Sequence, residues 1–127
     1  MSRELSTLDF EILFYERLVR EKPDFVDALI PLAEAYTKKK LYSKGLAVDE
    51  RLAGLCKNDS TVHYNLACSL ALVGRKKDAV HALKKALRLG YNDWTHLMND
   101  SDLKSLHGES EFQSLVNFKK ETFPKAR

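Results

Sequence analysis

STVHYNLACSLALVGRKKDAVHALKKALRLGYND, residues 60–93, is the stretch whose reading decides the fold. Val62, Leu66, Leu70 and Val73 recur at helical spacing along its first half, and Ala79, Leu83, Ala86 and Leu87 do so along its second. Gly74 lies between the two runs, where a helix stop followed by a tight turn is expected. The pattern therefore predicts two antiparallel helices. Each carries an apolar stripe too wide to be covered by the other alone, so further helices must flank the pair.

Counting back 34 positions finds a fainter copy of the same unit. Leu32 answers to Leu66, Ala33 to Ala67, Tyr36 to Leu70 and Leu55 to Leu89. Tyr64, Asn65, Leu66, Ala67, Gly74, Ala79, Leu83 and Ala86 together resemble the tetratricopeptide (TPR) signature. The resemblance covers residues 26–93 and implies an all-α fold, an antiparallel helix-turn-helix solenoid or superhelix. On that reading residues 1–127 form one domain. Residues 6–22 are the N-terminal helix of a partial repeat, 26–59 and 60–93 are two full repeats, and 94–123 are a helical C-terminal cap similar to the tail of short bacterial TPR modules. The first repeat departs from the signature at three positions: Lys40 replaces the turn glycine, Gly45 a small alanine, and Asp49 a large apolar residue. An aspartate in a seam between helices must find water or a hydrogen-bonding partner.

Local signals add boundaries. Ser6 with Asp9 is spaced as a capping box, and Asp24 or Asp27 is expected to cap the next helix, inside which Pro31 predicts a late start or a slight kink. Ser110 with Gln113 repeats the capping-box spacing, and Phe112, Leu115, Val116 and Phe123 are expected to dock the last helix.

Composition narrows the function classes. Basic side chains number 21 against 18 acidic ones, a net charge of +3, which argues against a whole-molecule field that would attract nucleic acid. The basic clusters at Lys38–Lys40 and Arg75–Lys77 are interspersed with acids and read as solvated faces. No run is long and apolar enough for a membrane span. Two cysteines without CxxC spacing, and no apolar leader, point to a reduced cytoplasmic location. His63, His81, His96 and His107 fall in no metal-ligand spacing, so neither a metal nor a cofactor is expected. Cys68 has no nucleophile elbow around it and reads as a small buried thiol, and the chain is expected not to be an enzyme.

The resemblance implies a concave surface lined by the first helix of each repeat, where Ile30, Glu34 and Thr37 stand beside Tyr64, Asn65, Cys68 and Ala71. The expected function is a non-catalytic protein–protein interaction module or scaffold that takes a peptide or a helix in this groove, with Tyr64 as anchor and Glu34, Thr37 and Asn65 as polar contacts. Asn65 stands where carboxylate-clamping relatives carry an asparagine, but Pro31 occupies the matching position of the first repeat. Asn65 is thus read first as a structural amide bonded to a neighbouring helix or loop, with a ligand contact as the alternative. For the whole chain the alternative is self-association as a homodimer or larger homo-oligomer, with the groove covered by the chain itself.

Overall fold

In the computed structural model, which describes residues 5–122, the chain is all-α, and no strand occurs among the described residues. The helices are α1 (Thr7–Glu21), α2 (Val26–Lys38), α3 (Tyr42–Leu55), α4 (Ser60–Leu72), α5 (Lys76–Arg88), α6 (Trp94–Asn99), a 3-10 helix (Ser101–Leu106) and α7 (Ser110–Thr122). Phe123 lies outside the described residues. Each of α1 to α5 packs on its sequence neighbour through the chain α1–α2–α3–α4–α5, and the 3-10 helix returns to lie on α4.

Helix starts follow the available side-chain acceptors. Ser6 and Asp9 close a capping box on α1: the Asp9 amide donates to Ser6 Oγ at 3.1 Å, and the Ser6 amide to the Asp9 carboxylate at 3.1 Å. Asp59 caps α4 by accepting from the amides of Thr61 and Val62. The start of α2 departs from expectation. Phe25 holds the N-cap position with no side-chain cap, because Asp24 is drawn away by the Arg51 guanidinium, whose Nε also donates to the Pro23 carbonyl at 2.8 Å. Pro31 sits inside α2, and α2 runs on through it to Lys38. At α7, Ser110 is the first helical residue, and the Gln113 side-chain amide donates to the His107 carbonyl, so no Ser110–Gln113 capping box forms.

The two inner hairpins turn by the same device. Lys40 and Gly74, which are 34 positions apart, both adopt positive φ, +65° and +87°. The following amide closes each helix end: Leu41 donates to the Tyr36 carbonyl at 2.8 Å and Arg75 to the Leu70 carbonyl at 2.9 Å. A side chain in this conformation costs about 1–2 kcal/mol relative to glycine, partly offset by glycine's freedom in the unfolded chain. Lys40→Gly is therefore expected to stabilise the protein by about 1 kcal/mol, raising Tm by roughly 3–5 °C in a thermal melt.

The largest cluster of buried apolar residues centres on α4 and α5 and is closed from below by Leu97, Leu103, Leu106 and Phe112, each at most 1% exposed. A second joins α1 to α2 through Ile12, Leu32 and Tyr36, and a third sits between α2, α3 and α4 at Leu29, Leu52 and Val62. Helix α4 is buried nearly all round: besides Val62 and Leu70, the residues His63, Tyr64, Ala67, Cys68, Ser69 and Ala71 are buried, while Leu66 and Val73 are only half-buried. Small side chains at Ala67, Ala79 and Ala86, none with any exposure, let α4 and α5 approach closely. Gly45 serves the α2–α3 seam in the same way, since a Cβ there would stand 3.2 Å from Thr37 Oγ1.

Candidate functional site

A cavity of about 430 Å³ opens between α2 and α4. From α2 it is lined by Ile30, Glu34 and Thr37, and from α4 by Tyr64, Asn65 and Cys68. Six of the seven groove residues expected from sequence thus border one space, and Ala71 does not. Ile30 and Glu34 are exposed, and Thr37 and Asn65 are half-buried. The Asn65 side chain forms no hydrogen bond with the protein among the described residues, so the structural amide bonded to an adjacent helix or loop, the reading preferred from sequence, is not what is observed.

Tyr64, Cys68 and Ala71 are covered by the segment that follows α5. The Tyr64 ring stacks on Tyr91, centroids 4.1 Å apart and planes 3° from parallel, and its hydroxyl donates to an Asp100 carboxylate oxygen at 2.6 Å. The same oxygen accepts from the Cys68 thiol at 3.6 Å and lies 3.3 Å from His96 Nε2. Ser105 Oγ donates to the Ala71 carbonyl at 3.4 Å, which places the 3-10 helix over that end of α4. Tyr64 is 3% exposed and Ala71 4%, so neither offers the open contact surface expected from sequence. The cause is Asp100, whose carboxylate both binds Tyr64 and caps the 3-10 helix by accepting from the Asp102 amide at 3.0 Å.

Burial pushes both reactive hydroxyl and thiol groups away from ionisation. The Tyr64 hydroxyl is raised well above the tyrosine range by desolvation and by its bond to Asp100, and the Cys68 thiol is raised by desolvation and by the charges of Asp100 and Asp102. Cys68, Asp100 and Asp102 present one sulfur and two carboxylate ligand atoms within 4.8 Å of one another. The protonated thiol and the Asp100 carboxylate already satisfy each other there, so the group is organised as a hydrogen-bonded cluster.

Asp49 borders the same cavity and is the buried acid that the sequence left in search of a partner. It finds Ser69, whose hydroxyl donates to its carboxylate. Desolvation pushes the Asp49 carboxyl up to about 6, opposed by the Ser69 hydrogen bond and assisted by the nearby Glu34 charge. The folded state thus holds a proton that the unfolded chain releases near pH 4, and the resulting stability is present below about pH 4 and lost as pH rises to about 6. This one group is expected to remove roughly 2–3 kcal/mol across that window. In Asp49→Asn the difference between unfolding free energies at about pH 4 and about pH 7, measured by denaturant titration, should shrink by that amount.

Some of the outer cations are held in ion pairs. Lys39 pairs with Asp9, Arg75 with Asp78 at 2.9 Å and Lys84 with Glu111 at 2.9 Å. The acids of the cavity were not part of the groove read from sequence, Glu34 excepted. Asp59, Asp100 and Asp102 come from a cap and from the NDSDL stretch after α6, and only the return of the 3-10 helix onto α4 brings that stretch to the site.

An all-helical chain with a partly covered groove between two hairpins is the class that these observations define. The family model described as A/B hydrolase-like, N-terminal domain matches residues 28–127, and the chain belongs to that family. This corrects the tetratricopeptide resemblance, and with it the TPR and scaffold readings. A 34-residue offset with small residues at the crossings measures the length of a helical hairpin and the closeness of its packing, which unrelated helical families share. A chloroplastic protein of Arabidopsis thaliana is 31% identical over 64 residues, which is 50% of this chain and 19% of that protein. The chain therefore spans about a fifth of the length of this relative. Helix α1 precedes the residues matched to the family. No helix among the described residues is long and apolar enough to cross a membrane.

Proposed function

We propose that the chain is a non-catalytic binding module that takes a peptide or a helix of a protein partner in the α2–α4 cavity. The observation that carries this reading is the cavity itself, with exposed Ile30 and Glu34 on one wall and the unbonded Asn65 amide on the other. The family's description sets such a domain beside a hydrolase-like protein, and the contribution we assign to this chain is recognition rather than bond-making. Two features support this. The Cys68 thiol is held protonated, and the Asp100 oxygen that would accept a proton is already occupied by Tyr64. A cytoplasmic location is part of the same proposal, supported by two free cysteines; the Arabidopsis relative is described as chloroplastic.

Photo-crosslinking tests the reading. A benzophenone side chain at Asn65 should trap a partner in the native extract, while the same group at exposed His81 on α5 should not. Equal trapping at both positions, or trapping from His81 alone, would contradict the groove.

One observation favours self-association as a second reading. Phe10, Leu13 and Phe14 lie three and four residues apart on the outer face of α1 and are 60%, 52% and 58% exposed. A second copy, pairing α1 antiparallel to itself, would cover them. Light scattering on Phe14→Glu should then give a monomer where the parent gives a dimer, and a monomeric parent would dismiss the reading.

A further inference from the structure

The charge of the cavity runs against the charge of the molecule. The chain carries a net +3, yet Glu34, Asp49, Asp59, Asp100 and Asp102 all border this one space, against Lys38 and His96. Away from the cavity Asp9, Asp24, Asp78 and Glu111 each pair with a lysine or an arginine, and the unpaired acids there, such as Glu11, Asp27 and Glu50, are spread over separate helices. Among the described residues Glu34, Asp49, Asp59 and Asp102 have no such partner. Carboxylates that gather without counter-ions repel one another, and a low-dielectric wall strengthens the effect.

Resting on the binding role proposed above, we propose that the occupant of the cavity is a cationic segment of a protein partner, a peptide or helix that inserts lysine or arginine side chains between α2 and the 3-10 helix. The floor suits the stems of such residues. Ala33, Leu52, Val62 and Leu72 supply apolar surface below the acids, so the methylene groups of a lysine or arginine pack while the charged head reaches the carboxylates. The unbonded Asn65 amide and the Thr37 hydroxyl flank that path as additional polar groups. The volume, about 430 Å³, falls at the lower end of the range of ligand cavities and accommodates a few side chains rather than the body of a folded domain. Two of the carboxyls carry the mark of this unrelieved charge: after desolvation, Asp49 is raised by Glu34 and Asp102 by Asp100.

The test is a titration of the whole chain, followed by amide NMR, with three short amphipathic peptides in which leucine is combined with arginine, glutamine or glutamate. A chelator is kept in every sample. The arginine peptide should shift the amides of Thr37, Asn65 and Cys68 and bind roughly tenfold tighter than the glutamine peptide at low salt, with the advantage lost at high salt. Glu34→Gln combined with Asp102→Asn should weaken it by roughly tenfold, and an unchanged melting profile of the double variant would tie the loss to charge. Equal binding of the arginine and glutamine peptides at the same amides would overturn the cationic class and leave the groove standing. No shift at those amides with any peptide would overturn both. Arginine-peptide binding that appears only when the chelator is omitted would hand the carboxylates to a metal ion instead and overturn the proposal.

Discussion

Replacing Phe112 with alanine is expected to lower the unfolding free energy by about 3–5 kcal/mol and Tm by roughly 10–20 °C. The ring is 1% exposed, stacks on His107 with centroids 5.1 Å apart, and belongs to the cluster that joins Leu83 to Leu97, Leu103 and Leu106. It anchors α7 to the rest of the molecule together with Val116, 8% exposed, and half-buried Leu115, whereas Phe118 on the same helix is 58% exposed. A cavity of phenyl size left beneath α7 cannot be refilled by the small residues of α5, so the transfer cost and the cavity cost add. Phe118→Ala serves as the comparison and should change stability by no more than about 0.5 kcal/mol. Guanidinium titrations of both variants read the difference.

Asp100→Ala is expected to cost about 2–4 kcal/mol, through a different mechanism. The substitution removes the acceptor for the buried Tyr64 hydroxyl and for the Cys68 thiol, and with them the cap of the 3-10 helix. Most of the loss is the desolvation of a hydroxyl left without a partner, so adding Tyr64→Phe should recover part of it, and the double variant should fall short of the sum of the single ones by about 1 kcal/mol or more. Hydrogen exchange should rise first at residues 101–106, because Asp100 is the link that ties that segment to α4.

Most of the fold was legible because it rests on short-range rules. The spacing of Ala79, Leu83 and Ala86 placed α5, and the first repeat read over residues 26–59 holds the two helices α2 and α3. Chain-end chemistry at Ser6 and Asp9 was equally plain, while Asp24 and Gln113 were claimed by longer-range partners, Arg51 and the His107 carbonyl, that no local pattern announces. Family membership was misread, since the residues matched to it obey the same packing demands as the tetratricopeptide signature. The site was legible on its α2 side. On the α4 side, Tyr64, Cys68 and Ala71 share a face by helical geometry, and only the fold shows that residues 91–106 lie over it. The signal that could have warned of this was the helix itself: with small or apolar residues on every side, α4 had to be surrounded.

The return segment, on this account, closes one face of α4 and leaves the α2 side as the open site. The rates at which the two cysteines react with a thiol reagent in the folded protein test it most directly, because Cys56 is half-buried at the end of α3 and Cys68 lies under Asp100. Cys68 is predicted to react about a hundredfold more slowly than Cys56 or slower still, at a rate set by opening of residues 91–106. Reaction of both thiols at the same rate in the folded chain would contradict the account.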